Sequence, residues 1–354
     1  MQTEHRTLFA DSRHMTELCD ESVDLMVTSP PYPMIEMWDE LFSQHSADVT
    51  AKLGKEDGFG AWESMHCMLD ATWKEVYRVL KPGGFACINI GDATRTMNNH
   101  FVLYTNHARI LSYAQKLGFT SLPCILWRKQ TNAPNKFMGS GMLPAGAYVT
   151  LEHEYILILR KGGKREFKTE VDKKNRHASA LFWEERNQWF SDIWFDIKGT
   201  SQTLKDKDTR KRSAAYPFEL AYRLINMYSV KGDLVLDPFL GMGTTTSAAM
   251  VSARNSVGYE IETTLQEANI RAKDNFIQIA QQMIRQRLSN HLAFVQKRLE
   301  AKKPLKHTNT PYGFPVITAQ EKGLLINDPL RITSMSQHTA VVEYSSTAQP
   351  EFMV

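Results

Sequence analysis

Residues 237–246, DPFLGMGTTT, decide the fold that this sequence predicts. They follow a short apolar segment that ends at Asp237, and they precede a segment at about 244–253 with helical composition. Glycines permit a tight turn from strand to helix and let backbone N–H groups approach a ligand closely. A phosphate-binding loop is disfavoured, because it needs Lys directly after its last glycine. The stretch therefore predicts one wall of a pocket for a nucleoside without phosphates.

Glu260 supports this prediction. It lies 19 residues after Gly241, at the end of the next predicted strand. In nucleotide-binding folds an acidic side chain at this place accepts hydrogen bonds from ribose hydroxyls. A glycine turn alone also occurs for structural reasons, so the pair is more informative than either part.

Strands and helices alternate on both sides of this stretch. Short apolar or β-branched runs predict strands, and apolar residues three to four apart predict helices. The predicted elements are a strand at 23–27, a helix at 61–80 stopped by Lys81-Pro82-Gly83-Gly84, a strand at 85–90, a helix at 104–117, paired strands at 122–127 and 155–159, and a helix at 218–228 that follows Pro217. Such alternation predicts an α/β domain with a mostly parallel sheet.

A second motif follows the first predicted strand. Thr28-Ser29-Pro30-Pro31-Tyr32 contains two prolines, which fix the backbone and remove two N–H donors, so the carbonyl oxygens face outward as acceptors. An exocyclic amine donates two hydrogen bonds, which Ser29 and a proline carbonyl can accept while Tyr32 stacks on the base. The motif predicts a site for an amino group, and a plain Pro-Pro turn is the alternative.

Residues 160–213 interrupt the alternation. They contain 15 Lys or Arg against 9 Asp or Glu, with Trp183, Trp189 and Trp194 interleaved. Clustered basic residues can bind the phosphates of a nucleic acid, although a charge run is also typical of a solvated surface. We therefore interpret this segment as a separate module.

Taken together, Thr-Ser-Pro-Pro-Tyr and Asp-Pro-Phe-x-Gly-x-Gly-Thr-Thr resemble the motifs of the DNA amino-methyltransferases. In that family the first motif is catalytic and the second binds S-adenosylmethionine. The order here, with the catalytic motif first, then a basic region, then the cofactor motif, resembles the permuted beta class over roughly residues 5–265. The resemblance implies a Rossmann-like methyltransferase fold with a mostly parallel, circularly permuted, seven-stranded sheet.

The resemblance also implies a division of the chain and roles for its residues. The parts are a catalytic part of the core at 1–159, a target-recognition insertion at 160–213, a cofactor-binding part at 214–264, and a C-terminal helical extension and tail at 265–354. The catalytic residues are Ser29, Pro30, Pro31 and Tyr32. The cofactor-binding residues are Asp11, Thr28, Pro217, Asp237, Phe239, Gly241, Gly243, Thr244 and Glu260. The expected DNA contacts are Lys173, Lys174, Arg176, Arg210, Lys211 and Arg212.

Two of the implied positions have ordinary alternatives. Asp11 lacks the Gly that usually precedes the acidic residue contacting adenine, and an exposed turn is its other interpretation. Gly91-Asp92 matches a position that lines the base and cofactor pocket, although a strand-ending Gly-Asp is also a common turn.

The implied reaction is direct methyl transfer to an exocyclic amine of a base flipped out of double-stranded DNA. It needs positioning and charge stabilisation, with no metal and no protein nucleophile. Ser at the first variable position, here Ser29, is typical of family members acting on cytosine N4, whereas Asn or Asp is typical of adenine N6. We therefore expect cytosine N4, with adenine N6 as the alternative.

Other function classes fit less well. A cytosine-carbon methyltransferase needs a nucleophilic Cys, and Pro123-Cys124 lies inside an apolar segment where a small buried residue is the ordinary explanation. RNA and protein methyltransferases with a Pro-Pro-Tyr motif usually carry it after the cofactor motif. An inactive DNA-binding or cofactor-binding module would not need both motifs intact.

Composition restricts the setting in which the protein acts. Hydrophobic residues make up 42% and charged residues 23%, and no apolar run approaches the ~18 residues of a membrane span. The start of the chain shows no export signal, so we expect a cytoplasmic protein that acts on nucleoid DNA. The four cysteines are scattered, so we expect mostly reduced core residues and no zinc site. The sequence leaves open a homodimer and a companion restriction endonuclease.

Overall fold

The computed structural model describes residues 1–129, 138–199, 216–266 and 276–353. A mixed sheet of ten strands forms the centre of this part of the chain. In spatial order the strands are β13 (Pro329–Ser334), β14 (Thr339–Tyr344), β1 (Gln2–Leu8), β10 (Asn255–Tyr259), β9 (Leu234–Asp237), β2 (Val23–Thr28), β3 (Leu80–Ile90), β7 (His153–Lys161), β6 (Phe119–Arg128) and β8 (Ile193–Trp194).

The seven strands from β1 to β6 in this spatial order form the predicted methyltransferase sheet. β1, β10, β9, β2 and β3 are parallel, and β7 pairs antiparallel with both β3 and β6. β9 and β10 come late in the chain yet lie between β1 and β2, which is the permuted order that the motifs indicated. The α/β fold is thereby confirmed.

Helices cover both faces of the sheet. They are α1 (Asp39–His45), α2 (Ala47–Gly54), α3 (Gly58–Val79), α4 (Asn106–Leu117), α5 (Glu170–Ala178), α6 (Trp183–Trp189), α7 (Phe218–Tyr228), α8 (Thr244–Val251) and α9 (Phe276–Glu300). Leu25 and Val27 of β2 pack into one hydrophobic cluster with α7, α8 and α9, while Met26 packs into a second cluster with α3 and α4. All six residues of β2 are buried, which explains why four of them are apolar and why the polar side chains of Asp24 and Thr28 are hydrogen-bonded.

Two elements of the first half of the chain, and the burial of the cysteines, differ from the sequence prediction. The helix expected to stop at residues 81–84 ends at Val79, and those residues already belong to β3. Residues 93–104 form an unpredicted hairpin of β4 (Ala93–Met97) and β5 (His100–Tyr104), so α4 begins only at Asn106. Among the cysteines only Cys87 is buried, and Cys19 and Cys67 are exposed, because both lie on surface-facing positions outside the strands.

The C-terminal extension is helical only in part. α9 follows the prediction, but β13 and β14 form a hairpin that pairs with β1 and extends the sheet. Alternate residues of β14 are buried, which is the pattern of a strand with one covered face. Between α9 and this hairpin, β11 (His307–Thr308) pairs with β12 (Pro315–Val316).

The described part of the basic segment packs on the same core. Phe182, Trp189 and Trp194 are buried in the cluster that contains α7 and α8. The predicted module boundaries at 160 and 213 remain predictions, and the second lies outside the described residues.

Two features are absent from the described ranges. None of the helices there is long and apolar enough to cross a membrane. No group of three or more His, Cys, Asp or Glu side chains there is arranged to hold a metal ion.

Candidate functional site

The two motifs meet at the carboxyl ends of neighbouring strands. β2 pairs directly with β9, through Leu25 with Val235 and Met26 with Leu236. The segment after β2 is Ser29 to Tyr32, and the segment after β9 is the glycine turn. In open α/β sheets ligands bind outside the carboxyl ends of the strands, so the topology brings both motifs to one site.

Asp237 connects the two motifs. Its carboxylate accepts hydrogen bonds from the Thr28 hydroxyl at 2.5 Å, the Thr245 hydroxyl at 2.5 Å and the Phe239 N–H at 3.0 Å. Burial raises the pKa of Asp237, and these hydrogen bonds oppose that rise. The polar atoms of Thr28 and Asp237, both predicted cofactor ligands, are therefore bound to each other and hold the walls of the site together.

Glu260 fixes the glycine turn. Its Oε2 accepts the Gly241 N–H at 2.8 Å, and its Oε1 accepts the Glu262 N–H at 2.8 Å. Burial raises the pKa of Glu260. Gly241 and Gly243 have φ angles of 53° and 78°, in the left-handed region that favours glycine. The segment thus forms the tight strand-to-helix turn that its glycines predicted.

A deep cleft opens between these elements. The cleft is partly open to solvent, and most of its lining surface is apolar. Among the predicted site residues, those that line it are Asp11, Ser29, Pro31, Phe239, Gly241, Thr244 and Glu260. The glycine turn with Glu260, and the motif at residues 28–32, called the acceptor motif below, therefore line one cavity.

Asp11 lies at this cleft beside an arginine. Arg13 donates to the Asp11 carboxylate, with the closest contact at 2.5 Å. Burial opposes ionisation of Asp11, but the hydrogen bonds from Arg13 outweigh it and lower the pKa of the carboxyl. The Asp11 carboxylate is thus already paired with Arg13, and its contact with adenine stays a prediction.

Sequence reasoning missed several cleft residues. Pro217 is buried and precedes α7, but the side chain that lines the cleft is the neighbouring Tyr216, whose hydroxyl contacts the Thr245 hydroxyl. Trp38 and Phe42 also line the cleft, from the segment containing α1. The only signal for them was the aromatic content of a stretch without clear periodicity.

The acceptor motif is supported by residues from β3 and β7. The Tyr32 hydroxyl donates to Glu154 Oε2 at 2.8 Å and accepts from Asn89 Nδ2 at 2.8 Å. Ser29 Oγ lies 3.1 Å from the Tyr32 hydroxyl. Neither Glu154 nor Asn89 was identified from the sequence, because Asn89 is one polar residue in an apolar run and Glu154 directly precedes the strand predicted at 155–159.

Gly91 follows β3 and contacts Tyr32 closely. A Cβ placed on Gly91 would lie 2.9 Å from the Tyr32 ring. Asp92 accepts hydrogen bonds from the backbone and the ring of His107. At the predicted pocket position, Gly91 thus leaves room for the Tyr32 ring, and Asp92 is hydrogen-bonded to His107 of α4.

The predicted DNA contacts lie elsewhere. Lys173, Lys174 and Arg176 are on α5, whose Asn175 donates to the Lys231 carbonyl just before β9 begins. These residues therefore lie near the amino ends of the parallel strands, whereas the motif at residues 28–32 follows the carboxyl end of β2. The structure does not bring them to the cleft. Arg210, Lys211 and Arg212 lie outside the described residues.

Comparison with known proteins gives consistent matches. Residues 23–271 match a family model described as DNA methylase, of the N6 and N4 type. The Type II methyltransferase M.MthZI of Methanothermobacter thermautotrophicus is 50% identical over 330 residues, which cover 93% of this chain and 92% of that protein. M.MjaI of Methanocaldococcus jannaschii is 51% identical over 274 residues, covering 74% of this chain and 89% of that protein.

Solved structures give the same result. A Thermus thermophilus protein, described as a DNA modification methylase and crystallised with S-adenosyl-L-methionine, superposes with a TM-score of 0.59 at 31% identity, covering 77% of this chain and 93% of that one. The PvuII DNA methyltransferase, described as cytosine-N4-specific, superposes with a TM-score of 0.51 at 17% identity, covering 80% and 93%. At that identity the second likeness concerns the fold alone.

Proposed function

The chain belongs to the DNA methylase family of N6 and N4 methyltransferases, and on that premise we propose that it methylates the N4 amine of a flipped-out cytosine at specific sites in double-stranded DNA. S-adenosylmethionine-dependent methyl transfer to DNA is the activity of the family. The choice of cytosine N4 over adenine N6 is our proposal.

The cleft fits S-adenosylmethionine as the cofactor. Glu260 lines it with a buried carboxylate, and Phe239 lines it with an apolar ring. When bound, the cofactor supplies a methyl group on a positively charged sulfur. We propose that Glu260 binds its ribose hydroxyls and that Asp11, with Arg13, lies at its adenine end.

Ser29 carries the proposal. Its side chain lines the same cleft as Gly241 and Glu260, so an amine bound to it would lie beside the cofactor wall. Ser29 Oγ and a proline carbonyl of the motif would accept the two N–H bonds and hold the amine lone pair toward the methyl group. Methyl transfer then needs orientation and stabilisation of the positive charge that develops on the nitrogen.

The base is assigned from the residue type at position 29. A serine hydroxyl offers one small acceptor, and Ser at this position is typical of family members that methylate cytosine N4. The target base must leave the duplex, because a stacked amine cannot be approached in line.

Product analysis tests the proposal directly. Unmodified plasmid DNA is incubated with the protein and S-adenosylmethionine, digested to nucleosides and examined by mass spectrometry. We expect N4-methylcytosine, and we expect Cys124→Ser to give the same yield as the native chain. N6-methyladenine as the product would refute the base assignment. 5-methylcytosine made by the native chain and not by Cys124→Ser would refute amino methylation. Unmethylated DNA would refute DNA as the substrate.

The setting follows from the relatives. M.MthZI and M.MjaI are both called Type II methyltransferases, so we propose that this enzyme protects host DNA from a companion restriction endonuclease. Protection of the methylated plasmid from a host-cell extract that cuts unmethylated plasmid would support this proposal. Sedimentation analysis with and without DNA decides between a monomer and a homodimer.

A further inference from the structure

A closed set of hydrogen bonds lies behind Ser29. Tyr32, Asn89 and Glu154 form a triangle, in which the Tyr32 hydroxyl lies 2.8 Å from Glu154 Oε2 and 2.8 Å from Asn89 Nδ2, and Asn89 Nδ2 lies 2.7 Å from Glu154 Oε2. Asn89 and Glu154 are buried, with exposures of 1% and 8%. The register of β3 with β7 places these residues together, since Tyr155 pairs with Ile90.

The other oxygen of Glu154 is held by a lysine. Lys129 Nζ lies 2.8 Å from Glu154 Oε1, and its ammonium lies 5.7 Å from the centre of the Trp127 ring. Lys129 directly follows β6 and its side chain is half exposed. This ion pair orients the carboxylate, so that Oε2 faces the Tyr32 hydroxyl.

Counting donors fixes the direction of each hydrogen bond. An ionised carboxylate only accepts, and an amide nitrogen only donates. The single proton of the Tyr32 hydroxyl therefore goes to Glu154, and Tyr32 accepts from Asn89. Burial and the charge of Glu154 raise the pKa of Tyr32 well above its ordinary value, so this proton is retained.

Ser29 is the next member of this chain. With the Tyr32 proton directed to Glu154, Ser29 is the donor in its 3.1 Å contact with the Tyr32 hydroxyl, and Ser29 Oγ accepts from Asn89 Nδ2 at 3.5 Å. With its proton directed at Tyr32 and one long hydrogen bond accepted from Asn89, the Ser29 oxygen keeps a lone pair for a donor in the cleft that it lines. The serine is thereby set as an acceptor before any base arrives.

We infer that Glu154 is a positioning residue that makes Ser29 an acceptor for the target amine, through the chain from Ser29 to Tyr32 to Glu154. The inference rests on the proposed methylation of an exocyclic amine and holds for either base. Hydrogen bonds in such a chain polarise one another. As the amine nitrogen forms its bond to the methyl carbon and the carbon–sulfur bond breaks onto sulfur, positive charge grows on the nitrogen. Ser29, polarised by the carboxylate, stabilises that charge until the nitrogen loses one proton to solvent.

Two variants and one control test the inference. Glu154→Gln keeps the size of the side chain and removes its charge, and Tyr32→Phe removes the linking hydroxyl. Glu152→Gln is the matched control, because Glu152 lies two residues away on the surface and pairs with Arg128. We expect kcat to fall about tenfold to a hundredfold in Glu154→Gln and in Tyr32→Phe, the range for loss of a charge-assisted hydrogen bond. KM for DNA and the Kd for S-adenosylmethionine should stay within about twofold, and the control should match the native chain.

The double variant distinguishes a relay from general damage. If the two residues act through one chain, Glu154→Gln with Tyr32→Phe loses no more activity than the worse single variant. Losses that multiply, or a Glu154→Gln enzyme with native kcat, would overturn the inference. Thermal melting within a few degrees of the Glu152→Gln protein is required of each variant, and Asn89→Ala provides a second break in the triangle if one variant fails to fold.

A readout independent of turnover completes the test. The Tyr32 phenolic proton, held between buried groups, should exchange slowly with water and be visible by proton NMR. We expect its signal to disappear in Tyr32→Phe, to shift or broaden in Glu154→Gln and to persist in Glu152→Gln. An unchanged signal in Glu154→Gln would refute the contact. An unmethylated plasmid with this signal intact would refute the proposed function and leave the hydrogen-bond chain supported.

Discussion

Replacing Gly91 by alanine tests how tightly the acceptor motif is held. The added Cβ would lie 2.9 Å and 3.2 Å from two carbons of the Tyr32 ring and 3.5 Å from Glu154 Cγ. Because carbon atoms in contact are ≈ 3.5–4.0 Å apart, the ring must retreat by roughly 0.6–1 Å. The Tyr32 hydroxyl is held at 2.8 Å by both Glu154 and Asn89. A retreat of that size stretches at least one of these hydrogen bonds beyond its normal range.

We therefore expect Gly91→Ala to lower the free energy of unfolding by about 1–3 kcal/mol, the usual cost of overpacking. It should also lower kcat, since Ser29 loses its partner. Urea denaturation measures the first quantity and single-turnover methyl transfer the second. Gly163→Ala is the control, because nothing lies within 4 Å of a Cβ there. If both variants unfold at the same urea concentration and methylate DNA at the same rate, the close contact between Gly91 and Tyr32 does not exist.

Three further substitutions address separate parts of the site. Ser29→Ala should lower kcat about tenfold, the value of one hydrogen bond in the transition state, with unchanged cofactor affinity by calorimetry; native turnover would exclude Ser29 as an acceptor. Glu260→Ala should weaken S-adenosylmethionine binding about tenfold or more, because the ribose loses an acceptor and the Gly241 turn loses its anchor; an unchanged Kd would exclude that contact. The basic side chains of α5 can reach only phosphates beyond the target site. Their combined replacement by alanine should therefore lower the affinity for long DNA duplexes and the salt dependence of that affinity. Binding to duplexes that just span the target site should not change. Equal salt slopes for the native and variant proteins on long DNA would show that these side chains do not bind it. The replaced residues are Lys173, Lys174 and Arg176.

The core of the fold was predictable from sequence because its signals are local. The strand at Leu234–Asp237 and the helix at 218–228 have the predicted bounds, since an apolar run ends at the glycine turn in one case and Pro217 precedes the helix in the other. The glycines, Glu260 and Ser29 meet in one cleft because parallel strands bring their carboxyl ends together.

Other parts depended on pairing that the sequence does not encode locally. Glu154 reaches Tyr32 only through the antiparallel register of β7 with β3. The hairpins of β4 with β5 and of β13 with β14 have weak apolar patterns, because each has an exposed face.

Charge counting could not locate the basic segment. The excess of Lys and Arg in residues 160–213 is real, but composition does not say which end of the sheet a helix occupies. Part of the charge is also neutralised within the fold, since Arg165 pairs with Asp233 at 2.6 Å. Only the structure could therefore show where the basic segment lies relative to the cleft.

The permuted order has a consequence for synthesis of the protein on the ribosome. β2 is buried on both sides, yet its partner β9 is encoded much later, and Thr28 is separated from Asp237 by 209 residues. At about 5–20 residues per second, the growing chain carries this apolar edge unpaired for roughly 10–40 s. A chain that stops before β9 keeps the edge exposed, so prematurely terminated products should aggregate or be bound by chaperones, and DNA is modified only by chains that have been completed through the second half of the sheet.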